Sequence, residues 1–66
     1  MTVTVNGQQW ELSEGATLAE VLERLHAPSR GVAVALDGAV VPRVCWPGTA
    51  LRHGARIDVV TAVQGG

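Results

Sequence analysis

The sequence predicts an α+β domain in which a mixed sheet packs one face against a single helix. Three observations point there. Alternation on either side of Asn6-Gly7 gathers Met1, Val3, Val5, Trp10 and Leu12 on one side of a hairpin. Leu18, Val21, Leu22 and Leu25 then recur at i, i+3, i+4 and i+7. Two further extended apolar runs follow, at 32–36 and 56–63. One amphipathic helix over one apolar sheet face gives two layers around one core.

The hairpin comes first. Asn-Gly is the favoured pair for a type I′ turn, which needs positive φ at both central positions. That turn sets Val5 opposite Gln8, Val3 opposite Trp10 and Met1 opposite Leu12, leaving Thr2, Thr4, Gln9 and Glu11 on the other face. Residues 13–16 connect to the helix. Thr17 is expected as its N-cap, with Glu20 three residues on completing a capping box. Glu20, Glu23 and Arg24 form the wet face, and Pro28 is expected to stop the helix after about two and a half turns.

Val32 to Leu36 reads as a strand near the sheet centre. Asp37-Gly38 marks a second tight turn into Ala39-Val40-Val41, and Pro42 confines that return strand to an edge. Arg43 to Gly54, with Pro47 and Gly48, reads as an irregular crossing with a short extended piece near Ala50-Leu51. Arg56 to Val63 is the last strand, with Ile57, Val59 and Val63 on one face and Asp58 on the other. Two hairpins grasping one helix describe a ubiquitin-like β-grasp. A single domain over residues 1–66 is expected, ending in a flexible Gly-Gly tail.

Size and charge exclude several functions. A chain of 66 residues buries only about 60% of its unfolded surface, and ordering costs about 1.5 kcal/mol per residue. A self-contained catalytic cavity is not expected. The net charge is -1 and all five cations are Arg, which leaves no basic footprint for nucleic acid or an anionic membrane. One cysteine cannot staple the domain. The opening Met1-Thr2-Val3-Thr4-Val5-Asn6 has no basic region and no long apolar stretch, so no leader is expected and a cytoplasmic setting is the default.

Side chains suited to chemistry are few. His26 and His53 read as exposed histidines, His26 at the helix C-terminus. No Cys or His cluster has metal-ligand spacing. Cys45 reads as a small buried hydrophobe, and Trp10 and Trp46 as core packing. The remaining feature is Gln64-Gly65-Gly66: two glycines carry no side chain, adopt almost any φ/ψ, and can thread a narrow channel to present a carboxylate.

That ending, together with Ala35-Leu36-Asp37-Gly38-Ala39-Val40-Val41-Pro42-Arg43 and Trp46, resembles the ThiS family of thiamine-biosynthesis sulfur carriers. The resemblance covers essentially the whole chain. Two positions depart from it: Gly54-Ala55 stands where the family often has Gly-Asp, and Val59-Val60 where it has aromatic residues. Thr61-Ala62-Val63-Gln64 also lacks the Pro-Pro pair of the small subunit of molybdopterin synthase, which favours the thiamine carrier over that relative.

The resemblance implies a carrier protein and not an enzyme, with no bound cofactor. An E1-like adenylating enzyme of the ThiF type would use ATP to activate the carboxylate of Gly66. A sulfur donor would convert it to a thiocarboxylate, and a thiazole synthase of the ThiG type would accept the sulfur. Gly65 would give clearance, Val63 and Gln64 would position the arm, and Arg43 and Trp46 are candidates for docking or scaffolding. The alternatives are sulfur delivery to molybdopterin or another acceptor, and a β-grasp interaction module that docks through its sheet and does no chemistry.

Overall fold

The computed structural model describes residues 1–62. Five strands and one α-helix follow in chain order: β1 (Thr2–Val5), β2 (Gln8–Glu11), α1 (Leu18–Arg24), β3 (Val32–Leu36), β4 (Ala39–Val40) and β5 (Arg56–Thr61), with a 3-10 helix over Arg43–Gly48 before β5. They form a single mixed sheet in the order β2-β1-β5-β3-β4, with β1 and β5 parallel and the other pairs antiparallel. This is the expected ubiquitin-like β-grasp.

The first hairpin has the predicted register: Val5 faces Gln8 and Val3 faces Trp10. Met1 and Leu12 exchange two backbone hydrogen bonds of 2.8 Å beyond the last strand pair. Asn6 and Gly7 have φ of 48° and 83°, the two positive values that a type I′ turn requires. Asp37 and Gly38 repeat the solution with 50° and 89°.

The core sits between the sheet and α1. Val3, Val5, Val34 and Ile57 face Leu18, Val21 and Leu22, and all seven are buried. The sheet centre is β5 rather than β3, which lies between β5 and the two-residue edge strand β4. A parallel β1–β5 pair joins the first strand of the sheet to the last. The Thr4 N–H donates to the Ala55 carbonyl and the Asn6 N–H to the Ile57 carbonyl, each at 2.9 Å. Past the end of β1, the Asn6 side-chain oxygen accepts from the Val59 N–H at 2.7 Å.

The structure corrects several local expectations. Thr17 is the N-cap of α1, but its side chain makes no capping hydrogen bond. Its extended backbone instead bridges Ala50, the Leu18 N–H donates to the Thr49 carbonyl, and the Leu51 N–H donates to the Ala16 carbonyl. Tertiary backbone partners thus do part of the work expected of the capping box. The helix ends before Pro28: His26 turns left-handed at φ 54°, and the Ala27 N–H closes back on the Leu22 carbonyl at 3.1 Å.

Trp10 is only half-buried, because β2 is the edge strand of the sheet among the described residues. Cys45 is exposed rather than buried. The segment read as irregular coils into a 3-10 helix, whose three residues per turn send Trp46 inward and leave Val44 and Cys45 in solvent. The last strand ends at Thr61, and Val63 lies outside the described residues.

Candidate functional site

Three places on the fold bear on function: the end of β5, the open face of the sheet, and the junction of α1 with the 3-10 helix. The predicted tail residues Val63, Gln64, Gly65 and Gly66 lie outside the described residues, so the site is approached from its root. Strand β5 pairs with β3 through Val32↔Thr61. One rung further, the Ala62 N–H donates to the Gly31 carbonyl at 2.6 Å. The last described residue is therefore still held by the sheet.

Alternation along β5 turns Ile57 into the core and Arg56, Asp58 and Val60 outward. Val60 lies opposite Ala33, and Ala35 is flanked by Asp58 of β5 and Val40 of β4. Val60 is 64% exposed and Val40 77%, so the uncovered face carries an apolar patch floored by two alanines. Neither valine is marked as a site residue by a motif in the sequence. Their signal is the same period-two alternation that put Asp58 outward, since a large aliphatic residue at an outward position has no core to fill.

Arg43 and Trp46 are brought together. Trp46 is 7% exposed, its indole N–H donates to the Val41 carbonyl at 2.9 Å, and the Arg43 guanidinium lies 5.5 Å from the ring centroid. The 3-10 helix creates this pairing by setting the two residues one turn apart. With Ala19, Leu22, Glu23, Ala27 and Pro28 they line a shallow groove of about 180 Å³ between the helices. Trp46 is a wall of the core, whereas Arg43 is exposed at the rim.

The other candidates stay apart. His26 and His53 are exposed, and His53 Nδ1 accepts the Thr2 N–H at 3.0 Å, tying the last loop to the start of β1. Among the described residues no group of three or more His, Cys, Asp or Glu side chains is placed to hold a metal ion. No helix among them is long and apolar enough to cross a membrane. A mixed five-stranded sheet packed on one helix, with β5 at its centre, defines the ubiquitin-like class of β-grasp domains.

The comparisons with known proteins narrow that class. The profile of the ThiS family matches residues 3–66. The sulfur carrier protein ThiS of Escherichia coli is 30% identical over 66 residues, covering 100% of both chains. That of Thermus thermophilus is 41% identical over 64 residues, covering 97% of this chain and 98% of its own. The crystal structure of the thiamine biosynthesis protein ThiS from Geobacter metallireducens superposes with a TM-score of 0.82 at 29% identity, over 100% of both chains. A solution structure from the same organism gives 0.80 at 28% identity, over 100% of this chain and 88% of that one. The chain belongs to the ThiS family.

Proposed function

We propose that this chain, a sulfur carrier of thiamine biosynthesis, carries its sulfur on the terminal carbonyl carbon of Gly66. It is a carrier rather than an enzyme, so the reactive chemistry belongs to partners. A carboxylate is a poor electrophile. In the proposed sequence, a carboxylate oxygen of Gly66 attacks the α-phosphorus of ATP in an E1-like enzyme of the ThiF type, and pyrophosphate leaves. Sulfide equivalents from a sulfur donor then add to the acyl carbon and expel AMP, which leaves a thiocarboxylate. A thiazole synthase of the ThiG type accepts that sulfur. ATP is thus a substrate of the activating enzyme and no cofactor of this chain. The cytoplasm, where ATP is at hand, is the setting that suits the sequence.

The observation that carries this reading is that the sequence following the central strand β5 is Val63-Gln64-Gly65-Gly66, with Ala62 still held by the sheet. Gly65 would pass a narrow channel because it has no side chain to clash. Val63 and Gln64 would set the direction of the arm. Four residues span at most about 14 Å. An enzyme that reaches Gly66 must therefore press against the β5 end of the sheet, where Val60 and Ala33 are open to it. Arg43 is free to serve a docking role that the buried Trp46 supports from below.

Intact mass after incubation with the adenylating enzyme, ATP and a sulfur source tests the reading. The expected gain equals sulfur minus oxygen. A single residue added after Gly66 converts the carboxylate to an amide and is expected to abolish that gain with melting unchanged, and Gly65→Val is expected to do much the same. Normal sulfur loading of the extended protein, without trimming, would overturn the proposal.

A further inference from the structure

We infer that Gly31 is a positioning residue for the activated tail: it holds the point from which the last four residues reach into the partner enzyme. The inference rests on the reading that Gly66 is adenylated. Two independent features of the backbone support it. The Gly31 carbonyl accepts the Ala62 N–H at 2.6 Å, adding a rung to the β3–β5 ladder beyond Val32↔Thr61. Gly31 also has φ of +70°, and a Cβ placed on it would lie 3.2 Å from the Ala62 Cβ.

The left-handed φ and the close approach to Ala62 each disfavour a side chain at this position. A positive φ is strained for any L side chain. A Cβ contact of 3.2 Å requires the neighbour to give by a few tenths of an ångström. The neighbour here is Ala62, the root of the arm. Both strain and contact therefore act on the same rung and displace the same atom pair.

The consequence for rate follows from geometry. A tail anchored at Ala62 delivers its carboxylate from a fixed point, and a misplacement of about 1 Å at a reacting centre costs on the order of a hundredfold. Displacing the root by a few tenths of an ångström, with its hydrogen bond weakened, is expected to slow activation about tenfold. The open face that meets the enzyme is not altered, so the affinity of docking is preserved. Gly31 thus acts through Ala62 on the placement of the carboxylate and touches no reactant.

The test is the rate of pyrophosphate release by the adenylating enzyme, measured against carrier concentration. Gly31→Ala is expected to lower kcat about tenfold with KM for the carrier within twofold of wild type. The double variant Gly31→Ala/Ala62→Gly removes the opposing Cβ and is expected to recover part of that loss, the left-handed strain at position 31 remaining. Ala62 is exposed, so Ala62→Pro deletes the N–H donor without touching the core, and it is expected to lower kcat similarly should Gly31→Ala not fold. An adenylated wild type with unchanged kcat in the folded Gly31→Ala and Ala62→Pro proteins overturns the positioning role alone. So does a loss confined to KM, or a double variant no faster than Gly31→Ala. A wild type that is never adenylated at Gly66 overturns the tail reading, and the positioning role with it.

Discussion

Trp46→Ala is the sharpest test of how this fold is held together. Trp46 is 7% exposed and packs in the core from the 3-10 helix, which joins the second hairpin to α1. Truncating a buried Trp to Ala costs about 3–5 kcal/mol through lost burial and the cavity left behind. The Val41 carbonyl also loses its indole donor. At about 0.05–0.15 kcal/mol per residue, a chain of 66 residues has roughly 3–10 kcal/mol of total stability. The expected outcome is a largely unfolded protein at 37 °C.

Trp46→Phe separates packing from hydrogen bonding. It keeps most of the apolar surface and gives up the N–H, at a net cost of about 1 kcal/mol for the hydrogen bond. For a domain of this size that corresponds to a fall in Tm of roughly 4–8 °C. Trp10→Ala provides the contrast, because the half-buried ring on the edge strand is expected to cost clearly less than Trp46. Urea titration followed by far-UV circular dichroism measures all three without relying on tryptophan emission. A cooperative transition for Trp46→Ala near the wild-type midpoint, or a larger loss for Trp10→Ala, would refute the assignment of Trp46 as the core anchor.

Asn6 combines a φ of 48° with a side-chain bond to the Val59 N–H, and two substitutions separate these contributions. Asn6→Gly keeps the turn and loses the acceptor, for an expected 0.5–1.5 kcal/mol at most, about the net value of one hydrogen bond; Asn6→Ala adds roughly 1 kcal/mol of left-handed strain. Thermal melts that rank Ala above Gly in stability would contradict this. Cys45 is exposed, so it is expected to react with a thiol reagent in the folded protein, and Cys45→Ala is expected to shift stability by no more than about 0.5 kcal/mol and to leave sulfur loading intact.

The parts of the fold that were legible in sequence are those fixed by local chemistry. Asn6-Gly7 sets a turn, the turn sets the register, and the register sorts every side chain of the first hairpin onto its face. The stripe of α1 was equally plain, because its spacing alone determines which residues turn inward. The 3-10 helix was not. Arg43-Val44-Cys45-Trp46-Pro47-Gly48 ends in two turn formers and buries one side chain, so it carries no stripe, and Cys45 beside a buried Trp46 was placed on the wrong side. Thr17 makes no side-chain cap because the Glu20 N–H that such a cap would bind donates to the Thr17 carbonyl instead, a local choice the motif does not reveal. Site residues divide in the same way. The terminal glycines are visible as a motif, whereas Gly31 matters only because β3 and β5 pair so that Ala62 lies against it, a relation no local window contains.

The parallel pairing of β1 with β5 also governs how this protein is made. Thr4 meets Arg56, and Val5 meets Ile57, so the middle of the sheet joins the earliest strand to the latest. Closing so long a loop is entropically costly and is rewarded only once both strands are present. A nascent chain that has not yet delivered β5 has the first hairpin on one side and the second on the other, with nothing between them to complete the barrier over Leu18 and Val21. Folding therefore waits for β5 to be made, and a product interrupted before it has no sheet centre. Because residues 63–66 follow the very strand that completes the sheet, a chain long enough to include Gly66 is also one whose core has everything it needs to close.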